Sequence, residues 1–135
     1  ETALAVFGLG AVARYTDRFG DAASLFRDSA TALNRIDDKH GEGYARWALA
    51  GAFIELENFD GADEQLQLAL EASRSVGDFH REAHVQERFG TLHNAQGNQP
   101  EAVACLELAL SMFDDIGDKP CMSEVQHALS EITSS

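Results

Sequence analysis

Proline occurs twice and cysteine twice in these 135 residues, and β-branched residues are scarce. Few prolines and an excess of Ala and Leu favour helix over sheet. No run of 18 apolar residues exists, which excludes a membrane-spanning helix. The opening stretch ETALAVFGLGAVARYTDRFG is apolar but has no basic leader, so it does not read as a signal peptide. It also lacks an initiator Met. In register it is the first helix of a folded array, so the chain reads as one domain excised from a larger protein. Cys105 lies within a helical pattern and Cys121 opens the last helix. Two such cysteines suit small half-buried thiols in a reducing compartment rather than a disulfide or a metal pair, which points to the cytoplasm.

Basic residues are also few. Ten Lys and Arg face 23 Asp and Glu, a net charge of −13. Residues 41–80 carry eight acids against two bases. This field repels phosphate backbones and excludes direct nucleic-acid reading. It suits a basic partner, or serves only to keep the surface soluble.

What the chain does have is repetition. Ala22, Ala62 and Ala102 recur at 40 residues, followed four later by Phe26, Leu66 and Leu106. Twelve residues before each Ala stands Gly10, Ala50 or Gly90, preceded by Leu9, Leu49 or Phe89. The units close on Ile36-Asp37-Asp38, Val76-Gly77-Asp78 and Ile116-Gly117-Asp118. Self-similarity at this period signals stacked units that bury a core only together.

Each unit reads as two helices. In the second, Ala45, Leu49, Ala52, Phe53 and Leu56 follow helical spacing over 41–57, and Ala62, Leu66, Ala69, Leu70 and Ser73 do so over 61–76. Asp60 is the expected cap between them, and Gly77 the expected terminator. The third unit repeats the plan over 81–95 and then to Ile116, with Pro100 near the first position of its second helix. The first unit places helices over 3–16 and 21–36, and an unpaired helix follows over 121–132. The expectation is seven helices, with repeats at 1–40, 41–80 and 81–120 and a terminal helix over 121–133. Small residues at Gly10, Ala50 and Gly90 let backbones approach, with Phe26, Leu66 and Leu106 filling the space.

Leu9-Gly10, Leu49-Ala50 and Phe89-Gly90, with Ala22-Phe26-Ser29, Ala62-Leu66-Ala69 and Ala102-Leu106-Ala109, resemble the tetratricopeptide repeat. The turn residues Phe19-Gly20-Asp21 and Phe59-Asp60 fit its turn signature. The resemblance covers nearly the whole chain. It implies an all-α, right-handed α-solenoid of antiparallel helix pairs, three repeats plus one extra helix. The usual unit is 34 residues. The six additional residues here are expected in the loops between units. The long form resembles repeats of bacterial signalling ATPases and antibiotic-regulatory-type transcriptional activators; similar units occur in kinesin light chains and cell-polarity adaptors. A second departure is a polar ladder, Arg46, Gln86 and Gln126, at the position that Val6 fills with an apolar side chain.

The resemblance also implies a concave groove formed by the first helix of each unit. Its candidate partner-binding residues are Phe7, Arg14, Tyr44, Trp47, Ile54, Glu87, Asn94 and His127. Phe7, Trp47, Glu87 and His127 form one row, in which Trp47, the single tryptophan, is either a groove anchor or a core residue. An aromatic and acidic groove suits an apolar or basic peptide. It does not suit the acidic tails of chaperones, which relatives hold with Lys and Asn. Self-association through the last helix, or a small-molecule pocket along the polar ladder, are the alternatives.

Chemistry is sparse. No G-x-x-x-x-G-K-[ST], G-x-S-x-G or H-E-x-x-H occurs, and no cofactor or enzymatic activity is expected. His80 and His84 share the i,i+4 spacing of a metal pair, but the spacing alone places no third ligand, so they are expected to be surface histidines rather than a metal site.

Overall fold

The computed structural model describes residues 19–134, and within them every element is a helix. α1 spans Phe19–Arg35, α2 Lys39–Glu55, α3 Phe59–Ser75, α4 Phe79–Ala95, α5 Gln99–Ile116 and α6 Lys119–Thr133. Helix starts therefore recur every 20 residues, half the sequence period. The helix expected over 3–16 lies outside the described residues, as do Phe7 and Arg14.

The chain divides into two compact units, one ending at Asp78 and one beginning at Phe79. In the first, α2 packs on both α1 and α3. Phe26, Leu33, Leu49, Leu66 and several alanines are almost wholly buried there. In the second, α5 packs on α4 and α6 around Ala83, Leu106, Ala109, Phe113 and Val125. The close approach read from the small residues is present: a Cβ on Gly90 would stand 2.7 Å from Leu106 Cγ and 3.3 Å from the Ala102 carbonyl. Ala50, its counterpart one repeat earlier, is fully buried. At the far end of the second unit, the Gln99 amide donates to the Ile132 carbonyl at 2.6 Å.

The loops differ from expectation. α1 to α4 each have 17 residues, joined by links of three. The residues beyond the usual unit lengthen the helices instead of the loops between units. One device makes such short links possible. Asp37, Glu57, Gly77, Gly97 and Gly117 all adopt positive φ, between 59° and 83°. The next amide then turns back: Asp38 N–H donates to the Leu33 carbonyl, Asn58 to Phe53, Asp78 to Ser73, Asn98 to His93 and Asp118 to Phe113, at 2.8–3.0 Å. This is a Schellman closure.

The residue that closes one helix also starts the next. Asp38, Asn58 and Asp118 accept the amides of Gly41, Gly61 and Cys121 on their side chains at 2.9–3.1 Å. Each helix consequently begins two residues before the apolar pattern announces it. The cap between α2 and α3 is Asn58, not Asp60, which lies inside the first turn. Pro100 occupies the first turn of α5, where no intrahelical amide is lost.

Candidate functional site

α2 and α4 are the helices expected to line a groove, and the structure sorts their candidate residues. On α2, Tyr44 is exposed and meets Trp47 edge-on, with ring centroids 5.4 Å apart. Trp47 is half-buried, and its indole nitrogen is enclosed. The pair thus combines an inward anchor with an accessible ring. Ile54, expected on the same surface, is 9% exposed and belongs to the core. Small Gly43 allows this helix to lie close to α3, against Ser73 and Ala69.

In the second unit, Glu87 on α4 is half-buried beside His84, at 3.4 Å, and Asn94 is exposed. His127 on α6 is exposed and pairs with Glu131 at 2.9 Å. The three ladder residues have unlike settings. Arg46 is largely buried and bonded, Gln86 is half-buried, and Gln126 is exposed.

The Arg46 setting contains a site that the sequence pattern did not reveal. Glu42, one turn earlier on α2, is 4% exposed. Arg46 Nε donates to it at 2.7 Å, Lys39 Nζ at 3.0 Å, and the Asn34 amide of α1 to both carboxylate oxygens at 3.2 Å. Arg46 also donates to Gln65 of α3 at 2.8 Å. Burial pushes the Glu42 carboxyl upward, but the hydrogen bonds from Arg46, Lys39 and Asn34 outweigh it and hold the group below its ordinary value. A polar cleft lined by Asn34, Lys39, Glu42, Arg46 and Glu71 results. Within it Glu42, Arg46 and Lys39 satisfy one another's charges, which suits a structural clasp across three helices. Periodicity could not locate it, because Glu42 looks like any exposed helical acid.

A second polar cluster lies at the start of α6. His80 and His84 of α4 approach Asp118 and Cys121, with His80 Nε2 2.7 Å from Asp118 Oδ2 and His84 Nε2 3.9 Å from Cys121 Sγ. Burial, then the neighbouring Asp118, pushes the Cys121 thiol up to about 12. The hydrogen bond from that thiol, with His80 next, holds Asp118 down to about 2. A thiol so strongly protonated is a poor nucleophile. Cys105 is likewise raised by burial. Among the described residues no helix is long and apolar enough to cross a membrane.

Paired helices of near-constant length, closed by a short repeating link, define a helical-repeat array. Residues 43–115 match the tetratricopeptide repeat family, and the chain belongs to that family. Among characterised proteins it is similar to regulatory protein RapG of Bacillus subtilis, 32% identical over 80 residues, 59% of this chain and 22% of RapG. Among solved structures it resembles the apo form of RapI, with a TM-score of 0.87 at 17% identity over 98% of this chain and 48% of that one. It also resembles BtubC from P. vanneervenii, TM-score 0.85 at 17% identity over 98% and 55% of the two chains. The N-terminal domain of stress-induced protein-1 from C. elegans follows at 0.70 and 20% identity, over 97% and 94%. The fold is thus an all-α solenoid-type repeat. The chain spans less than a quarter of RapG and about half of the first two structures.

Proposed function

We propose that this chain is a protein-interaction module within a larger cytoplasmic regulatory protein, and that it works by docking a peptide or domain instead of by catalysis. Membership of the tetratricopeptide family supports the module, and the similarity to a regulatory protein supports the setting. The observation that carries the docking surface is the Tyr44–Trp47 pair, an exposed ring braced by a partly enclosed one on α2. Aromatic anchors of this kind dominate binding energies. With a net charge of −13, an apolar or basic segment is the favoured partner. Glu87, Asn94, His127, Phe7 and Arg14 are further candidates for partner contact by their position in the sequence repeat alone.

Trp47 is the single tryptophan and reports its own occupancy. A basic, aromatic-containing peptide should shift its emission, whereas an acidic peptide of equal length should not. Tyr44→Ala should weaken the basic peptide about tenfold, roughly 1.4 kcal/mol. Equal binding by Tyr44→Ala, or no response to either peptide, would sink the proposal.

A second reading, self-association through α6, draws on one observation: of that helix only Val125 is fully buried. A sedimentation profile that stays monomeric at high micromolar concentration would remove it.

A further inference from the structure

We propose that His80, His84, Asp118 and Cys121 form a four-ligand Zn2+ site that fastens α6 to α4. One ligand atom each from His80, His84 and Cys121 already lies within 4.8 Å of the others, and Asp118 Oδ2 lies 2.7 Å from His80 Nε2. Zinc bound at about 2.0–2.3 Å to N, O and S in a tetrahedron sets its ligand atoms roughly 3.3–3.8 Å apart. The His80, His84 and Cys121 ligand atoms, up to 4.8 Å apart, have to draw together by about 1 Å to hold the ion.

The surroundings favour such a site. The i,i+4 spacing puts both imidazoles on one face of α4, with ring centroids 4.6 Å apart. Both rings rest edge-on against Phe113, which is fully buried and forms an apolar floor. Asp118 is held by its capping bond to the Cys121 amide through Oδ1, leaving Oδ2 directed at His80. His84 Nδ1 lies 3.4 Å from Glu87, so a carboxylate can orient the ring and leave Nε2 turned towards Cys121. His80 remains 47% exposed, which provides an entry path. The nearby carboxylates of Asp118, Glu87 and Glu124, which oppose a bare thiolate, would favour a dication.

The repeat register separates this cluster from an ordinary clasp. Forty residues earlier the same positions carry His40, Tyr44, Asp78 and Arg81. His40 and Asp78 keep the imidazole–carboxylate contact at 3.3 Å, so that contact belongs to the repeat. The second imidazole and the thiol replace Tyr and Arg, and those two exchanges complete a ligand set of the type zinc prefers. A thiolate with two imidazoles suits zinc, whereas Mg2+ and Ca2+ take oxygen.

The test is titration of the reduced chain with Zn2+ by calorimetry, with Co2+ as a spectroscopic substitute. One equivalent should bind, the Co2+ complex should show thiolate charge-transfer absorption, and Zn2+ should raise the melting temperature. Cys121→Ser and His84→Gln should each weaken Zn2+ at least tenfold while helicity by circular dichroism is kept. Glu87→Gln should weaken it by about tenfold through ring orientation, and Cys105→Ser should bind as the parent does. Absence of stoichiometric binding, a Co2+ spectrum without the thiolate band, or unchanged affinity in both Cys121→Ser and His84→Gln would overturn the proposal.

Discussion

Arg46 Nε donates to the Glu42 carboxylate at 2.7 Å, and this one contact ties the interior of α2 to both of its neighbours through Asn34 and Gln65. Glu42→Gln keeps the shape but removes the charge that Arg46 and Lys39 share. A loss of about 1–3 kcal/mol in urea unfolding at pH 7 is expected, as for hydrogen bonds to charged groups. The Glu42 carboxyl is held below its unfolded value, so its contribution is complete above the ordinary glutamate range. It is lost as pH falls through the lowered folded value. The gap between parent and Glu42→Gln should therefore narrow on acidification. A gap that stays constant from pH 7 to pH 3 would contradict this assignment.

Glu57 holds φ at 59° in the link where three of the five equivalent positions carry glycine. Left-handed geometry costs a side-chain-bearing residue roughly 1 kcal/mol. Glu57→Gly should therefore stabilise the fold, by about 0.5–1 kcal/mol and a few degrees in thermal melting. Gly117→Ala should do the reverse by a similar amount. The two melting curves check both signs.

The Asn58 cap makes a prediction that distinguishes it from Asp60. Asn58→Ala removes the bond to the Gly61 amide and should cost about 1 kcal/mol. Asp60→Ala removes only a first-turn charge, worth about 0.3–1 kcal/mol and screened by salt. Chemical denaturation at high salt separates them: the Asn58 loss should persist while the Asp60 loss fades.

Gly90 faces Leu106 so closely that a methyl group would stand 2.7 Å from its Cγ. Gly90→Ala gains about 1 kcal/mol of helix propensity. It also forces repacking that costs typically 1–3 kcal/mol. Net destabilisation of about 1 kcal/mol is expected, relieved by adding Leu106→Ala only if the clash is the cause. A double-mutant cycle in urea measures that coupling directly.

The sequence by itself determined the repeat, its register, the helix pairing and most of the core. Ala22, Ala62 and Ala102, with the large residue four later, are a local pattern that helical geometry converts directly into a buried face. Close packing at Gly90 was legible for the same reason.

The helix boundaries needed the structure. Asp38, Asn58 and Asp118 serve two helices at once, and that double use depends on backbone torsions at the preceding residue. A search for apolar periodicity starts each helix at its first packed side chain and so misses the capping turn. Trp47 was ambiguous because helical spacing gives a direction but not the depth of the neighbouring surface. The structure leaves it half-buried beside exposed Tyr44.

The polar clusters were decided by tertiary structure alone. His80 and His84 were visible as a pair, but Asp118 lies 38 residues beyond His80 and Cys121 lies 37 beyond His84. They arrive only because α4 and α6 both pack on the helix that carries Phe113. Glu42 carried no mark in the sequence, since a buried acid and a solvated one are spelled alike. Periodicity specifies which face of a helix is inside. Only packing specifies which polar groups meet there, because their partners come from other helices.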